Sequence, residues 1–253
     1  MTDAHNHLQD LRFDGIREKV IHEMQQCGIT RCIVNGTSPD DWQAVSDLAS
    51  SYPNLIVPSF GLHPWKPPTS DWYSLLVHFL DSTPRACIGE CGLDRWIKNY
   101  DLEQQKEIFI AQLDLATKRN LALSIHCLKA WGPLLDILRS HPLPKRGFLI
   151  HSYNGSAELV PELVQLGAYF SVSGYFLHQR KEHMIEVFQN IPTDRLLLET
   201  DAPDMLPPEE VITYQLSKKI NHPANLKTIR KNLKPHLDLS NVDTNFSSLF
   251  LSK

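Results

Sequence analysis

Short apolar runs, rich in β-branched residues, alternate along this chain with longer segments whose apolar residues recur every three or four positions. The short runs fall at residues 2–7, 31–36, 55–62, 86–92, 121–126, 147–151, 168–173 and 195–201. Runs of that length predict buried strands. The longer segments, at 13–27, 40–51, 72–81, 102–119, 131–139, 157–166 and 181–189, predict helices. In 102–119, Ile108, Leu113 and Leu115 sit among charges, as in a helix with one buried face. Eight rounds of strand and helix in 253 residues predict an α/β fold, a (β/α)8 TIM barrel. A doubly wound open sheet would carry a Gly-rich turn after its first strand. Here that strand runs into DAHNHLQD, with no glycine. No linker-like stretch divides the chain, so residues 1–253 are expected to form one domain, with C-terminal helices, the last near 244–250, packed outside the barrel.

The ends of the predicted strands carry the chemistry. LLLETDAP, at 196–203, drives three leucines into Glu199 and Asp201. A buried carboxylate is costly unless positive charge lies opposite it. The other strands end in His5 and His7, His63, Glu90, His126 and His151. In a parallel barrel those ends meet at one mouth, where active sites are built. Strand alternation puts His5 and His7 on one face, with Asp3 one step deeper, where it could orient a histidine. The same alternation sends Gly89 and Cys91 outward, so that Glu90 enters alone, and turns Cys127 away from His126.

Four imidazoles and two carboxylates exceed the needs of one tetrahedral zinc and fit two divalent ions sharing a carboxylate. Glu90 is the expected bridge. One ion is then held by His5, His7, Glu90 and Asp201, the other by Glu90, His126 and His151. Asp201 also serves as the base for the attacking water. Zinc, manganese and magnesium all remain open.

Composition adds limits. Hydrophobic content of 42% and charged content of 21% suit a globular enzyme. A net charge of -4 argues against binding nucleic acid through overall basicity, though not against a site whose cations supply the charge. Five cysteines without a CxxC pair fit reduced thiols and a cytoplasmic location. No signal sequence and no membrane span is expected, nor any obligate protein partner.

DAHNHL at 3–8, GLHPW at 61–65, IGECGLD at 88–94, IHC at 125–127, HSYNG at 151–155 and LLLETDAP follow in this order, with NHPANL at 221–226 and TNFSSLF at 244–250 behind them. Together they resemble the TatD family of metal-dependent deoxyribonucleases, related to the amidohydrolase superfamily. The resemblance implies a two-ion barrel that hydrolyses phosphodiester bonds in DNA, often from a 3′ end. It carries the ligand roles onto His5, His7, Glu90, His126, His151 and Asp201. It places His63 against the scissile phosphate, and Lys129 and Tyr153 at substrate-facing positions. There are departures. The family's Arg two residues after the strand-five His is Leu128, and Lys129 beside it cannot reproduce a bidentate guanidinium grip. Tyr153 replaces an aromatic without a hydroxyl, and a basic stretch is reduced to Lys218 and Lys219.

The expected reaction is two-metal activation of water against a DNA phosphodiester. Single-strand ends would rest on Trp65, Tyr153 and Tyr175, since bases stack on aromatic faces. Two other readings stay open: hydrolysis of a lactone, cyclic amide or phosphotriester by the same ions, and a metal-stabilised binding scaffold without turnover. Glu90 in place of a carbamylated lysine bears against the first, and the intact Asp201 against the second.

Overall fold

The computed structural model describes residues 1–217 and 220–251. Eight parallel strands form one sheet in chain order: β1 (Thr2–Asn6), β2 (Arg31–Asn35), β3 (Ile56–Phe60), β4 (Cys87–Asp94), β5 (Leu123–Leu128), β6 (Phe148–Ile150), β7 (Ala168–Ser173) and β8 (Leu196–Glu199). Helices α1 (Arg17–Gln26), α2 (Pro39–Ser51), α3 (Trp72–Ser82), α4 (Leu102–Arg119), α5 (Trp131–Ser140), α6 (Val160–Gln165) and α7 (Glu182–Gln189) connect successive strands. The ring closes beyond the last strand, where Asp201 N donates to His5 O at 2.9 Å and His7 N donates to Ala202 O at 2.7 Å. Closure therefore falls on residues singled out for chemistry.

Outward side chains such as Val34, Phe60, Leu93, Ile125, Phe170 and Leu198 pack beneath the helices in one large apolar cluster, which also takes Cys91 and Cys127. The inside is layered by strand periodicity. Its floor is Ala4, Ile33, Val57, Cys87, Ala122, Leu149, Tyr169 and Leu197. Two residues further along several strands come buried polar groups: Asn35, Ser59, Ser124, Ser171 and Glu199. One more step brings His126 after Ser124 and Asp201 after Glu199; His151 follows Leu149 directly.

Beyond β8 come α8 (Leu226–Leu233), α9 (Val242–Phe246) and a final π-helical stretch, Ser247–Leu251. These lie outside the ring, and the last two also reach beneath it. Phe246, Leu249 and Phe250 join the inward floor cluster and close the bottom of the barrel.

Several boundaries differ from the sequence expectation. β4 continues to Asp94, β5 runs to Leu128, and β8 stops at Glu199. Asp201 lies past the strand with φ 52°. Two register slips matter more. Asp3 pairs with Cys32 and Asn6 with Val34, so a three-residue step on β1 faces a two-residue step on β2. Likewise Ile88 pairs with Leu123 and Cys91 with Ile125. Each extra residue is a bulge that resets the inward–outward alternation. Asp3 therefore does not share the face of His5 and His7. Gly89 faces inward with Glu90 instead of outward, since a Cβ on it would meet Ser124 Cβ at 2.7 Å.

Glycine is required where β4 crowds β5. At Gly92, φ is 142° and an added Cβ would lie 2.0 Å from His126 O, a backbone atom that cannot yield. Gly92→Ala is expected to lose on the order of 3 kcal/mol or more in a urea melt, through a forbidden φ and a backbone clash. Gly132→Ala, in open space within α5, should stay within about 1 kcal/mol of the parent. Equal melts for the two variants would refute this account of the β4–β5 contact.

Candidate metal centre

Glu90 lies at the middle of the mouth, 3% exposed, with its two oxygens facing different partners. Oε2 is 3.2 Å from His5 Nε2 and 3.3 Å from His7 Nε2. Oε1 is 2.9 Å from His126 Nδ1, 2.8 Å from His151 Nε2 and 3.2 Å from His63 Nε2. Asp201 Oδ1 stands on the Oε2 side, 3.7 Å from His5 Nε2 and 3.5 Å from His7 Nε2. The bulges supply this arrangement by turning His5 and Glu90 inward at one level. Among the described residues, three overlapping groups could hold an ion: His5 with His7 and Glu90, His63 with Glu90 and His126, and His5 with His151 and Glu199.

The far side of each ring decides which nitrogen offers a lone pair. His7 Nδ1 donates to the Asn35 carbonyl at 2.8 Å, which leaves Nε2 free. His126 Nε2 donates to Asp94 Oδ2 at 2.9 Å, which leaves Nδ1 free. His5 Nδ1 meets the Ser124 hydroxyl at 3.0 Å. His63 is the exception. Its Nδ1 accepts from Trp65 N at 3.1 Å, so Nε2 carries the proton. His63 therefore presents an N–H toward Glu90 and does not suit ligation, despite its place in one of the three groups. For His5, His7, His126 and His151 the fit to cations is direct, because free imidazole nitrogens and carboxylate oxygens face one another at 2.8–3.7 Å. Only a proton or a metal ion between such atoms relieves the repulsion.

The TatD-related DNase family profile matches residues 2–249. The chain belongs to this family. A 3′–5′ ssDNA/RNA exonuclease TatD of Erwinia tasmaniensis is 32% identical over 214 residues, 82% of this chain and 81% of that protein. An uncharacterized metal-dependent hydrolase of Escherichia coli strain K12, YjjV, is 32% identical over 207 residues, 80% of this chain and 79% of that one. The crystal structure of the E. coli TatD homologue YjjV superimposes with a TM-score of 0.90 at 26% identity, over 100% of this chain and 98% of the other. Family membership makes the chain a metal-dependent hydrolase.

Burial and charge compete across this TatD-family centre. For Glu90, burial opposes ionisation, but the imidazoles of His151, His63 and His5 hold the carboxyl well below its usual range. For Asp201, burial is likewise outweighed by the bond with His7 and the charges of His151 and His5. Burial and the neighbouring His151 bring His5 down to about 4. Burial also works against protonation of His151, yet Glu90 raises it to about 9. The same contest, settled by bonds with Asp201 and Glu90, leaves His7 well above its ordinary value.

Other sequence expectations meet mixed outcomes. Tyr153 is fully buried; its hydroxyl donates to Ser156 O at 2.7 Å and its ring packs edge-on against Trp131 and Phe170. It cannot stack a base or touch substrate, because the ring fills the layer between barrel and helices. Asp3 touches no imidazole; it accepts from Thr200 N, the Thr200 hydroxyl and Asn6 Nδ2, tying β1 to the turn after β8. Lys129 is exposed, with Nζ 4.3 Å over the Trp96 ring. Tyr175 is half-buried beside Arg180 and Lys181. Lys218 and Lys219 lie outside the described residues.

Sequence reasoning missed the groups that orient the rings: Asn35, Ser124, Asp94 and Glu199. Asp94 was hidden because β4 was expected to stop two residues early. Glu199 was visible as a carboxylate ending an apolar run. It accepts 2.5 Å hydrogen bonds from Ser152 and Ser171, lies 3.9 Å from the otherwise unpartnered His151 Nδ1, and is pushed up to about 7 by burial.

Raised imidazole pKa values mean that protons occupy His7 and His151 at neutral pH in the metal-free protein. A ligating nitrogen must shed its proton, so metal binding at pH 7 should release protons. Apparent affinity should climb about tenfold per pH unit for each proton released, with the His151 share of that slope ending near pH 9, where His151 deprotonates unaided. Calorimetric titration with Zn, Mn or Mg in buffers of different ionisation enthalpy measures this; identical heats with pH-independent affinity would contradict it.

Proposed function

We propose that this chain is a divalent-metal-dependent exonuclease that hydrolyses phosphodiester bonds in single-stranded DNA from a 3′ end. The carrying observation is the division of Glu90, whose Oε2 serves His5, His7 and the Asp201 side while Oε1 serves His126 and His151. Such a division suits two divalent ions sharing one carboxylate. His5, His7, Glu90 and Asp201 would hold one, and Glu90, His126 and His151 the other. Bound ions would supply Lewis acidity and lower the pKa of a coordinated water. The name of the Erwinia tasmaniensis relative, an exonuclease of single-stranded DNA and RNA, supports the same bond and polarity.

The chain's own residues provide the rest. Asp201, held ionised by its imidazole neighbours, accepts the proton of the attacking water. A new phosphorus–oxygen bond forms as the bond to the sugar oxygen opposite it breaks, and that oxygen takes its proton from solvent while Asp201 keeps the one from the attacking water. His63 contributes its Nε2–H to a non-bridging phosphate oxygen, the role its acceptor bond from Trp65 N leaves to it. Imidazole-rich donors suit zinc or manganese, and phosphate oxygens suit magnesium.

The test is digestion of 3′-labelled single-stranded DNA with Mg, Mn or Zn. Stepwise shortening is expected, with Glu90→Ala and Asp201→Ala each slowing it at least about 100-fold. Intact DNA alongside turnover of lactones or phosphotriesters would overturn the reading in favour of another hydrolase. Tight metal binding with no turnover of any substrate would leave a scaffold.

A further inference from the structure

Asp94 does more than orient His126. It is fully buried, and both of its oxygens are shared. Oδ2 accepts from His126 Nε2 at 2.9 Å and from the Trp65 indole Nε1 at 2.7 Å. Oδ1 accepts from Trp96 N at 2.5 Å and Ile97 N at 3.2 Å. Gln105 on α4 fixes the Asp94 backbone from both sides, its Oε1 accepting from Asp94 N and its Nε2 donating to Asp94 O. Arg95 N donates to Leu128 O at 2.9 Å, which stitches this turn to the end of β5 next to Lys129.

The Trp65 indole, anchored on Asp94 through its N–H, and that of Trp96, held there only through its backbone N–H, are nevertheless left in solvent, at 55% and 63% exposure. Leaving that much aromatic surface in water while its loops are rigidly held is unusual for packing. The Trp65 ring centroid lies 5.0 Å from His63 and 6.1 Å from His126, at the edge of the metal centre. Lys129 Nζ sits 4.3 Å over the Trp96 ring. The two loops carry Lys66, Arg95 and Lys98, with Asp71, Asp94 and Asp101 only at their ends, in a chain whose net charge is -4. Positive charge interleaved with free aromatic faces is the chemistry that holds unpaired bases and their phosphates.

We propose that Trp65, Trp96 and Lys129, pinned through Asp94 to His126, form a platform that grips single-stranded polynucleotide beside the cleavage point. Trp65 stacks the base next to the scissile phosphate, and Trp96 stacks a neighbouring base. Lys129 meets the intervening phosphate as a point charge, in place of a guanidinium fork at 128. Paired bases inside a duplex, stacked on both faces, gain nothing from it. Asp94 is a positioning residue that makes one rigid unit of the platform and the histidine. The inference rests on the nuclease reading and deepens it.

The experiment measures kcat and KM of the metal-loaded enzyme on single-stranded oligonucleotide and on bis(p-nitrophenyl) phosphate, a diester with no neighbouring nucleotides. Trp96→Ala and Lys129→Ala are expected to lower the ratio of strand to small-diester kcat/KM by about 5- to 50-fold, mainly through strand KM. Trp96→Phe and Lys129→Arg should recover most of it. Lys145→Ala removes the same charge from the loop before β6, at the other end of the barrel, and should leave the ratio unmoved. Asp94→Asn should raise strand KM and weaken metal binding together. An unchanged ratio in both alanine variants, with the small diester still turned over, would overturn the platform and leave the nuclease reading standing. Failure of the unsubstituted enzyme on both substrates with every metal would overturn the reading beneath it.

Discussion

A carboxylate taken out of water must find positive charge or donors within a few ångströms, or give up its own charge. Glu90 meets that demand from every side. His5 and His7 face one oxygen while His63, His126 and His151 face the other, all within 3.3 Å. The remaining architecture can be understood as the means of bringing five imidazoles to one carboxylate. They come from four places along the chain: the end of β1, the turn after β3, the end of β5 and the end of β6. The concentration of lone pairs left over is what selects for cations.

Two local departures from regular sheet make that meeting possible. A strand that alternates strictly cannot put Ala4 and His5, or Gly89 and Glu90, on the same side. The bulges on β1 and β4 do so, and they are matched by close backbone approach at Gly89 and Gly92, where any side chain would strike β5. Ring closure adds a third device: Asp201 N and His7 N are used to join the end of the sheet to its start. Three of the candidate ligands, His5, His7 and Asp201, thus sit on the seam of the barrel, held by the bonds that complete it.

Around the centre, hydrogen bonds sort identical side chains into different jobs. His7 and His126 spend one nitrogen on Asn35 O and Asp94, which frees the other to ligate. His63 receives a backbone N–H and becomes a donor. Asp94 extends the same logic outward, since one carboxylate holds a histidine, the exposed Trp65 indole and the backbone of Trp96. Rigidity at the metal is thereby carried to the rim.

The sequence by itself determined the periodic features. Alternating strands and helices specified the barrel, and steps of two along a strand specified that Ala122, Ser124 and His126, or Leu197, Glu199 and Asp201, climb from floor to mouth on one face. The six candidate ligands follow from that rule together with their positions at strand ends. What tertiary structure decided is whatever depends on a partner strand or a distant residue. Bulges exist only relative to a neighbour's register, so Asp3 and Gly89 could not be placed from alternation alone. Tyr153 looked like a mouth residue because its motif lies at a strand end, but space beside Trp131 and Phe170 drew its ring into the layer between barrel and helices. Hydrogen-bond partners such as Asp94, Asn35 and Ser124 are close in space and remote in sequence, and the protonated nitrogen of each imidazole is set by them. The closing of the barrel floor by Phe246, Leu249 and Phe250 is likewise a fact of three dimensions, because a hydrophobic pattern states that a face must be buried and not which surface buries it.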